Sequence, residues 1–177
     1  MTTGHAGRRI RRRGRARAGA LAALCAVACA PPAVQPPATT ESLQLLAAAV
    51  RRDVFDRPVT LAPLLADRAV LYFFRTGCDH CAADLAAAPA LARAAGAPPL
   101  VLISREDAAR LRAALPGPQP GLVVVSDADG GIMEGALPTR FVPRVVAVAR
   151  GRVRLDRTGS AGGGLKRAVD ALSGAGR

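Results

Sequence analysis

Cys78 and Cys81 stand three residues apart in the run Arg75-Thr76-Gly77-Cys78-Asp79-His80-Cys81. On a helix, that spacing lays both side chains on one face with Cβ atoms roughly 5–6 Å apart. A small tightening reaches the roughly 3.5–4.5 Å that a disulfide requires. The chemistry open to such a pair is thiol–disulfide exchange, in which a thiolate attacks a sulfur and a mixed disulfide forms and resolves. If a helix begins at the motif, Cys78 lies at its N-terminus beside unpaired N–H groups that favour an anion, and Cys81 lies one turn in and is more shielded. A free thiol of pKa about 8.5 is about 3% thiolate at pH 7, whereas one lowered to about 6 is about 90% thiolate. His80, in its cationic form, would stabilise the thiolate further and push the pair toward oxidant character. Asp79 opposes that locally but suits the start of a helix.

Other uses of the two sulfurs are narrower. Zinc takes four ligands, and the remaining Cys (Cys25, Cys29) and His5 all fall in the first thirty residues, so no structural metal is expected. A disulfide across two residues closes too small a loop to stabilise much. Soft Cu(I) held by two thiolates is the alternative from a different class, a binding protein rather than an enzyme.

The elements around the motif read as mixed α and β. Residues 69–74 (AVLYFF) form a continuous apolar run, the pattern of a strand covered on both faces. They end where the Cys motif starts. Residues 100–104 and 122–126 repeat that pattern. Residues 42–54, 79–95, 106–115 and 165–172 read as helices, with a break or kink expected at Pro89. Residues 145–149 and 152–156 flank Arg150-Gly151 as a β-hairpin. Strands alternating with helices predict an α/β fold with a central mixed sheet covered on both sides.

The chain has 177 residues, room for one ordinary domain, and half of them are apolar. Its net charge of +12 divides unevenly: the first thirty residues hold seven Arg and no acid, which leaves 18 basic against 13 acidic residues beyond them. The body is therefore mildly basic, and nucleic acid is not an expected partner. The Arg-rich stretch is followed by an apolar run over 18–30, too short for the roughly 20 residues of a spanning helix and built like an export signal. Ala26-Val27-Ala28-Cys29 resembles the lipobox of bacterial lipoproteins, which implies lipidation at Cys29, although that family usually has Leu where Ala26 stands. Three segments follow: a leader over 1–30, a Pro-rich extended linker over 31–41, and a folded domain over 42–177. The expected location is periplasmic or extracytoplasmic, with the membrane reached through an N-terminal lipid or an uncleaved leader.

The strand, the Cys-x-x-Cys at the next helix start, and the late segment Phe141-Val142-Pro143-Arg144-Val145 before a hairpin together resemble the thioredoxin-like superfamily. The closer similarity is to its exported TlpA-like branch of thiol–disulfide oxidoreductases, over residues 57–173. The resemblance implies a three-layer α/β/α sandwich, a redox-active disulfide between Cys78 and Cys81, and a cis Pro143 against the pair. It also implies substrate binding at Val142, Gly77 and Asp79, and it requires no cofactor. A partner's extended chain could add to the exposed backbone of Val142 as an extra strand. Implied partners are cysteine-containing exported proteins and a membrane thiol oxidoreductase that donates or accepts electrons. The roughly 60 residues between Cys81 and Pro143 imply an insertion. The chain departs from the family at three places: Gly77 replaces the usual aromatic, Asp-His replaces the commoner Pro-containing pair, and Tyr72 stands where thioredoxin keeps a buried carboxylate. A carboxylate would take the proton from the second thiol, and the sequence places no substitute for it. Direction is open between reduction, by resemblance, and oxidation, by the chemistry of the Asp-His pair.

Overall fold

A computed structural model describes residues 34–48, 50–159 and 162–174. The leader, with Cys29 and the lipidation expected there, lies outside the described residues. In chain order the elements are α1 (Thr40–Ala47), β1 (Val50–Arg52), β2 (Pro58–Thr60), α2 (Leu61–Ala66), β3 (Arg68–Phe73), α3 (Asp79–Arg93), β4 (Leu100–Ser104), α4 (Ala108–Ala114), β5 (Leu122–Ser126), β6 (Arg144–Ala149), β7 (Arg152–Thr158) and α5 (Gly164–Ser173). A π-helical turn, Gly131–Ala136, precedes the late Pro segment.

The main sheet has the order β5-β4-β3-β6-β7. β3, β4 and β5 run parallel, and β6 and β7 are antiparallel to their neighbours. Side chains alternate across the sheet, as a strand's two-residue period demands. Val70, Tyr72 and Phe74 pack with Cys81 and Ala88 of α3 and with Leu165, Ala168 and Leu172 of α5. Leu71 and Phe73 face the other way, onto Leu43 and Leu46 of α1, Leu61 and Leu65 of α2, and Ile132 and Met133 of the π-helical turn. The expected three layers are present, with the apolar run of β3 buried in the middle one.

Three expectations need correction. The helix predicted over 42–54 stops at Ala47, because the chain turns into β1 and pairs Val50 with Thr60 in a two-stranded ribbon. The linker predicted over 31–41 is not a free spacer along its described length, and the compact unit begins at Gln35 rather than at 42. The Gln35 amide donates to the Pro138 carbonyl at 2.5 Å and accepts from the Arg140 amide at 2.8 Å, while the Ala38 amide donates to Asp156 at 2.7 Å. The split allowed for at Pro89 does not occur: the residue sits inside the single helix α3. The segment between Cys81 and Pro143 forms β4, α4, β5 and the π-helical turn, so most of it builds the sheet and its cover.

Candidate active site

β3 delivers the chain to the site. The Phe74 amide still donates to the Ile103 carbonyl (3.1 Å), after which the backbone leaves the sheet. Cys78 is the N-cap of α3 in an extended conformation, and its carbonyl accepts from the Cys81 amide at 2.9 Å, the first turn of the helix. Cys78 and Cys81 are joined as a disulfide with a Cα–Cα separation of 5.2 Å. Cys78 is partly exposed, whereas Cys81 is fully buried against the sheet. The placement gives the two sulfurs different access to solvent. Gly77, Asp79 and His80 are all exposed around them, and a Cβ added at Gly77 would meet nothing within 4 Å.

The loop ahead of Cys78 is held by a residue that the sequence reading missed. Glu106, just beyond β4, accepts from the Thr76 amide (2.8 Å) and the Thr76 hydroxyl (2.6 Å), and pairs with Arg110 at 2.8 Å. Burial pushes the Glu106 pKa up, but the Thr76 and Ser104 hydrogen bonds and the Arg110 charge together hold it below the ordinary carboxylate value. The only sequence signal was its place after an apolar strand, in the loop that such folds turn toward ligands.

Pro143 directly precedes β6, and the pairing of Phe73 with Arg144 brings it to the end of β3 from which the Cys loop departs. The Val142–Pro143 bond is cis. Pro143 is buried and its carbonyl accepts from the Gly159 amide at 2.7 Å, while Val142 is partly exposed. Among the described residues no hydrogen bond engages the Val142 backbone. Phe141, next in line, is 47% exposed.

Arg144 was also unforeseen in its role. Its guanidinium is fully buried and donates twice to Asp156 (2.9 and 2.8 Å), to the Pro138 carbonyl (2.8 Å), to the Thr139 hydroxyl (3.2 Å) and to the Pro36 carbonyl (3.0 Å). Burial raises the Asp156 pKa, yet Arg144 and the Ala38 amide outweigh that and hold it low. One cation thus ties the segment before α1, the loop 138–141 and β7 into the frame that carries Pro143.

Helix α3 carries a buried carboxylate of its own. Asp84 is 2% exposed and follows Cys81 by three residues, so Cys81, Asp84 and Ala88 form the buried stripe of α3. The Asp84 carboxylate accepts from the Leu165 amide at the start of α5 (3.4 Å). It lies close enough to Tyr72 that burial first, and this neighbouring charge second, keep the phenol protonated at any working pH. The Cys-x-x-Cys-x-x-Asp spacing was present in the sequence, but a lone Asp in an Ala-rich helix carries no signal of burial.

No protein-family model and no curated protein sequence matches the chain. Solved structures do. A secreted disulfide oxidoreductase of Mycobacterium tuberculosis, homologous to Escherichia coli DsbE, superposes with a TM-score of 0.58 at 22% identity, over 77% of this chain and 99% of that one. The exposed lipoprotein thioredoxin Etrx1 of Streptococcus pneumoniae gives 0.57 at 15% identity, over 71% and 98%. The bacterioferritin comigratory protein of Xanthomonas campestris, described for alkyl peroxide reduction, gives 0.65 at 15% identity, over 80% and 99%.

Proposed function

From a chain whose fold is thioredoxin-like, we propose a thiol–disulfide oxidoreductase working through Cys78 and Cys81. Fold alone does not assign chemistry. The observation that carries the reading is the asymmetry of the pair: a partly exposed sulfur at a helix N-terminus, bonded to a buried one a turn inside.

In the reducing direction the dithiol form of the protein meets a substrate disulfide. The Cys78 thiolate attacks one substrate sulfur, a Cys78–substrate disulfide forms, and the other substrate sulfur leaves as a thiolate. Asp84 then takes the Cys81 proton. The Cys81 thiolate attacks Cys78 Sγ, the intramolecular disulfide closes, and the second substrate thiol departs. Two electrons have passed from protein to substrate, and a dithiol partner must restore them for the next cycle. Asp84 would serve either direction, taking the Cys81 proton in reduction and returning it in oxidation, and it is the family resemblance that supports reduction. Val142 offers unpaired backbone to an extended substrate, Pro143 fixes that edge, and Gly77 and Asp79 flank the approach. His80 adjusts the poise of the pair. The partners are cysteine-bearing exported proteins and a membrane thiol oxidoreductase.

The leader supports export and lipidation at Cys29 as the setting for this activity. Among the described residues no helix is long and apolar enough to cross a membrane.

Replacing Cys81 with Ser tests the mechanism. The account expects a stable mixed disulfide at Cys78 with a cysteine-containing peptide disulfide, visible by mass and released by dithiothreitol, and none in Cys78→Ser. An adduct that forms equally well without Cys78 would overturn it.

A further inference from the structure

Cys78 enters α3 from a tight turn. Its amide donates to the Arg75 carbonyl at 3.2 Å, so Thr76 and Gly77 form the corner that presents the sulfur. Gly77 has no side chain to tether that corner, and Arg75 is exposed. The hold falls on Thr76. Its amide donates to one carboxylate oxygen of Glu106 (2.8 Å) and its hydroxyl to the other (2.6 Å). Two charge-assisted hydrogen bonds into one carboxylate fix orientation as well as distance.

Glu106 is itself gripped from several elements. Its carbonyl accepts from the Ser126 hydroxyl of β5 at 2.8 Å, and its carboxylate accepts from the Ser104 hydroxyl of β4 at 3.2 Å. Arg110 of α4 pairs with the carboxylate at 2.8 Å and donates to the Thr76 hydroxyl at 3.3 Å. The preceding residue, Arg105, pairs with Glu134 of the π-helical turn, which leads into the segment before Pro143. One short loop after β4 thus reaches both the Cys turn and the approach to the Pro segment. With its pKa held below the ordinary value, Glu106 is ionised at neutral pH and can only accept.

The step most sensitive to that corner is resolution. Cys81 is buried in α3 and keeps its place with the helix, whereas Cys78 caps it on the chain that leaves the turn. Once Cys78 carries substrate, the Cys81 thiolate, its proton passed to Asp84, attacks Cys78 Sγ. The Cys78–Cys81 bond forms, the Cys78–substrate bond breaks, and the substrate sulfur leaves as a thiolate. An intramolecular attack of this kind depends on alignment, and a misplacement of about 1 Å can cost about 100-fold.

We propose that Glu106 is a positioning residue for this step, holding the Cys78 turn through Thr76 so that Cys81 can close on it. The inference rests on the oxidoreductase reading and adds to it the residue that aligns the two sulfurs.

The test uses the reduced full-length chain in a Cys25→Ser/Cys29→Ser background, which leaves the Cys78–Cys81 pair as the only thiols. Mixed with one equivalent of dithiobis(nitrobenzoate), it should release two coloured aryl thiolates in succession, the first on forming the mixed disulfide and the second on resolving it. In Glu106→Gln and in Thr76→Val the first release should stay near the wild-type rate, and the second should slow about tenfold. That slowing should persist across the neutral pH range, unlike the loss of a base, which rising pH repairs. Thr76→Ser keeps both donors and should resolve near the wild-type rate. At equilibrium with dithiothreitol, the disulfide of Glu106→Gln should be favoured about tenfold less, a potential about 30 mV higher.

Asp170→Asn, which breaks the exposed Lys166–Asp170 pair on α5, removes the same charge and should alter neither release. Thr76→Val keeps the Glu106 carboxylate, so it decides the question even where Glu106→Gln loses the fold. A second release at the wild-type rate in Thr76→Val, both releases slowed alike, or the same slowing in Thr76→Ser or Asp170→Asn would overturn the proposal. A wild-type pair that releases no aryl thiolate, or only the first, would instead overturn the oxidoreductase reading.

Discussion

At the scale of single residues, catalysis depends on who holds the proton of Cys81. A positioned acid–base group typically contributes about 10²–10⁴-fold, and Asp84→Asn keeps the shape and the acceptor for the Leu165 amide while removing the base. Single-turnover kinetics of the variant should show formation of the mixed disulfide near the normal rate and its resolution slowed about 100-fold, with the slow step regaining speed as pH rises. Equal slowing of both steps would assign Asp84 to packing instead. His80 occupies a different position: it is exposed and, among the described residues, forms no hydrogen bond or ion pair, so any charge it carries acts on the sulfurs through solvent. His80→Gln should therefore lower the reduction potential of the pair by no more than about 30 mV, a tenfold change in equilibrium. The place of Pro143 came from the family resemblance, and the two cysteines were legible from residue type and spacing. Asp84, Glu106 and Arg144 were not, because each acts through a partner distant in sequence: Leu165, Thr76 and the Asp156–Pro36 pair.

At the scale of elements, the site stands on two loops fixed by buried charges. Arg144 is wholly buried and Asp156 partly so, and removing Arg144 takes away five hydrogen bonds and the partner of that carboxylate. Arg144→Leu should cost about 3–5 kcal/mol in urea unfolding, and it should release the segment 35–39 to proteolysis before the core opens. Stability within 1 kcal/mol of the parent would show that Arg144 is dispensable. The sheet and its hairpin were read with boundaries good to a residue or two, since β3, β4 and β5 are unbroken apolar runs. The ribbon of β1 and β2 escaped because its three-residue strands are too short to establish an alternating pattern, and the apolar spacing of α1 continued into it through Ala49 and Val50. The docking of residues 35–39 escaped because a Pro-rich composition describes an isolated chain, and Gln35 finds its acceptor and donors about a hundred residues away.

At the scale of the whole molecule, the two carboxylates with depressed pKa values set its response to acid. Glu106 and Asp156 both bind protons less readily folded than unfolded. Their contribution is complete above the ordinary values of 4.5 and 3.8, and is lost as pH falls through the lower folded values. Unfolding free energy should stay level from neutrality to about pH 5 and decline below it, and Glu106→Gln should flatten part of that decline. A protein whose stability began to fall near pH 7 would place the controlling group elsewhere.

The central claim is that the Cys78–Cys81 bond exists to be opened and closed. Equilibration of the full chain against a graded dithiothreitol series, read by thiol alkylation and mass, measures its potential. The account predicts one two-electron transition between about −120 and −270 mV, absent in Cys78→Ser. A bond that stays closed to potentials below about −300 mV, the range of structural disulfides, would contradict it.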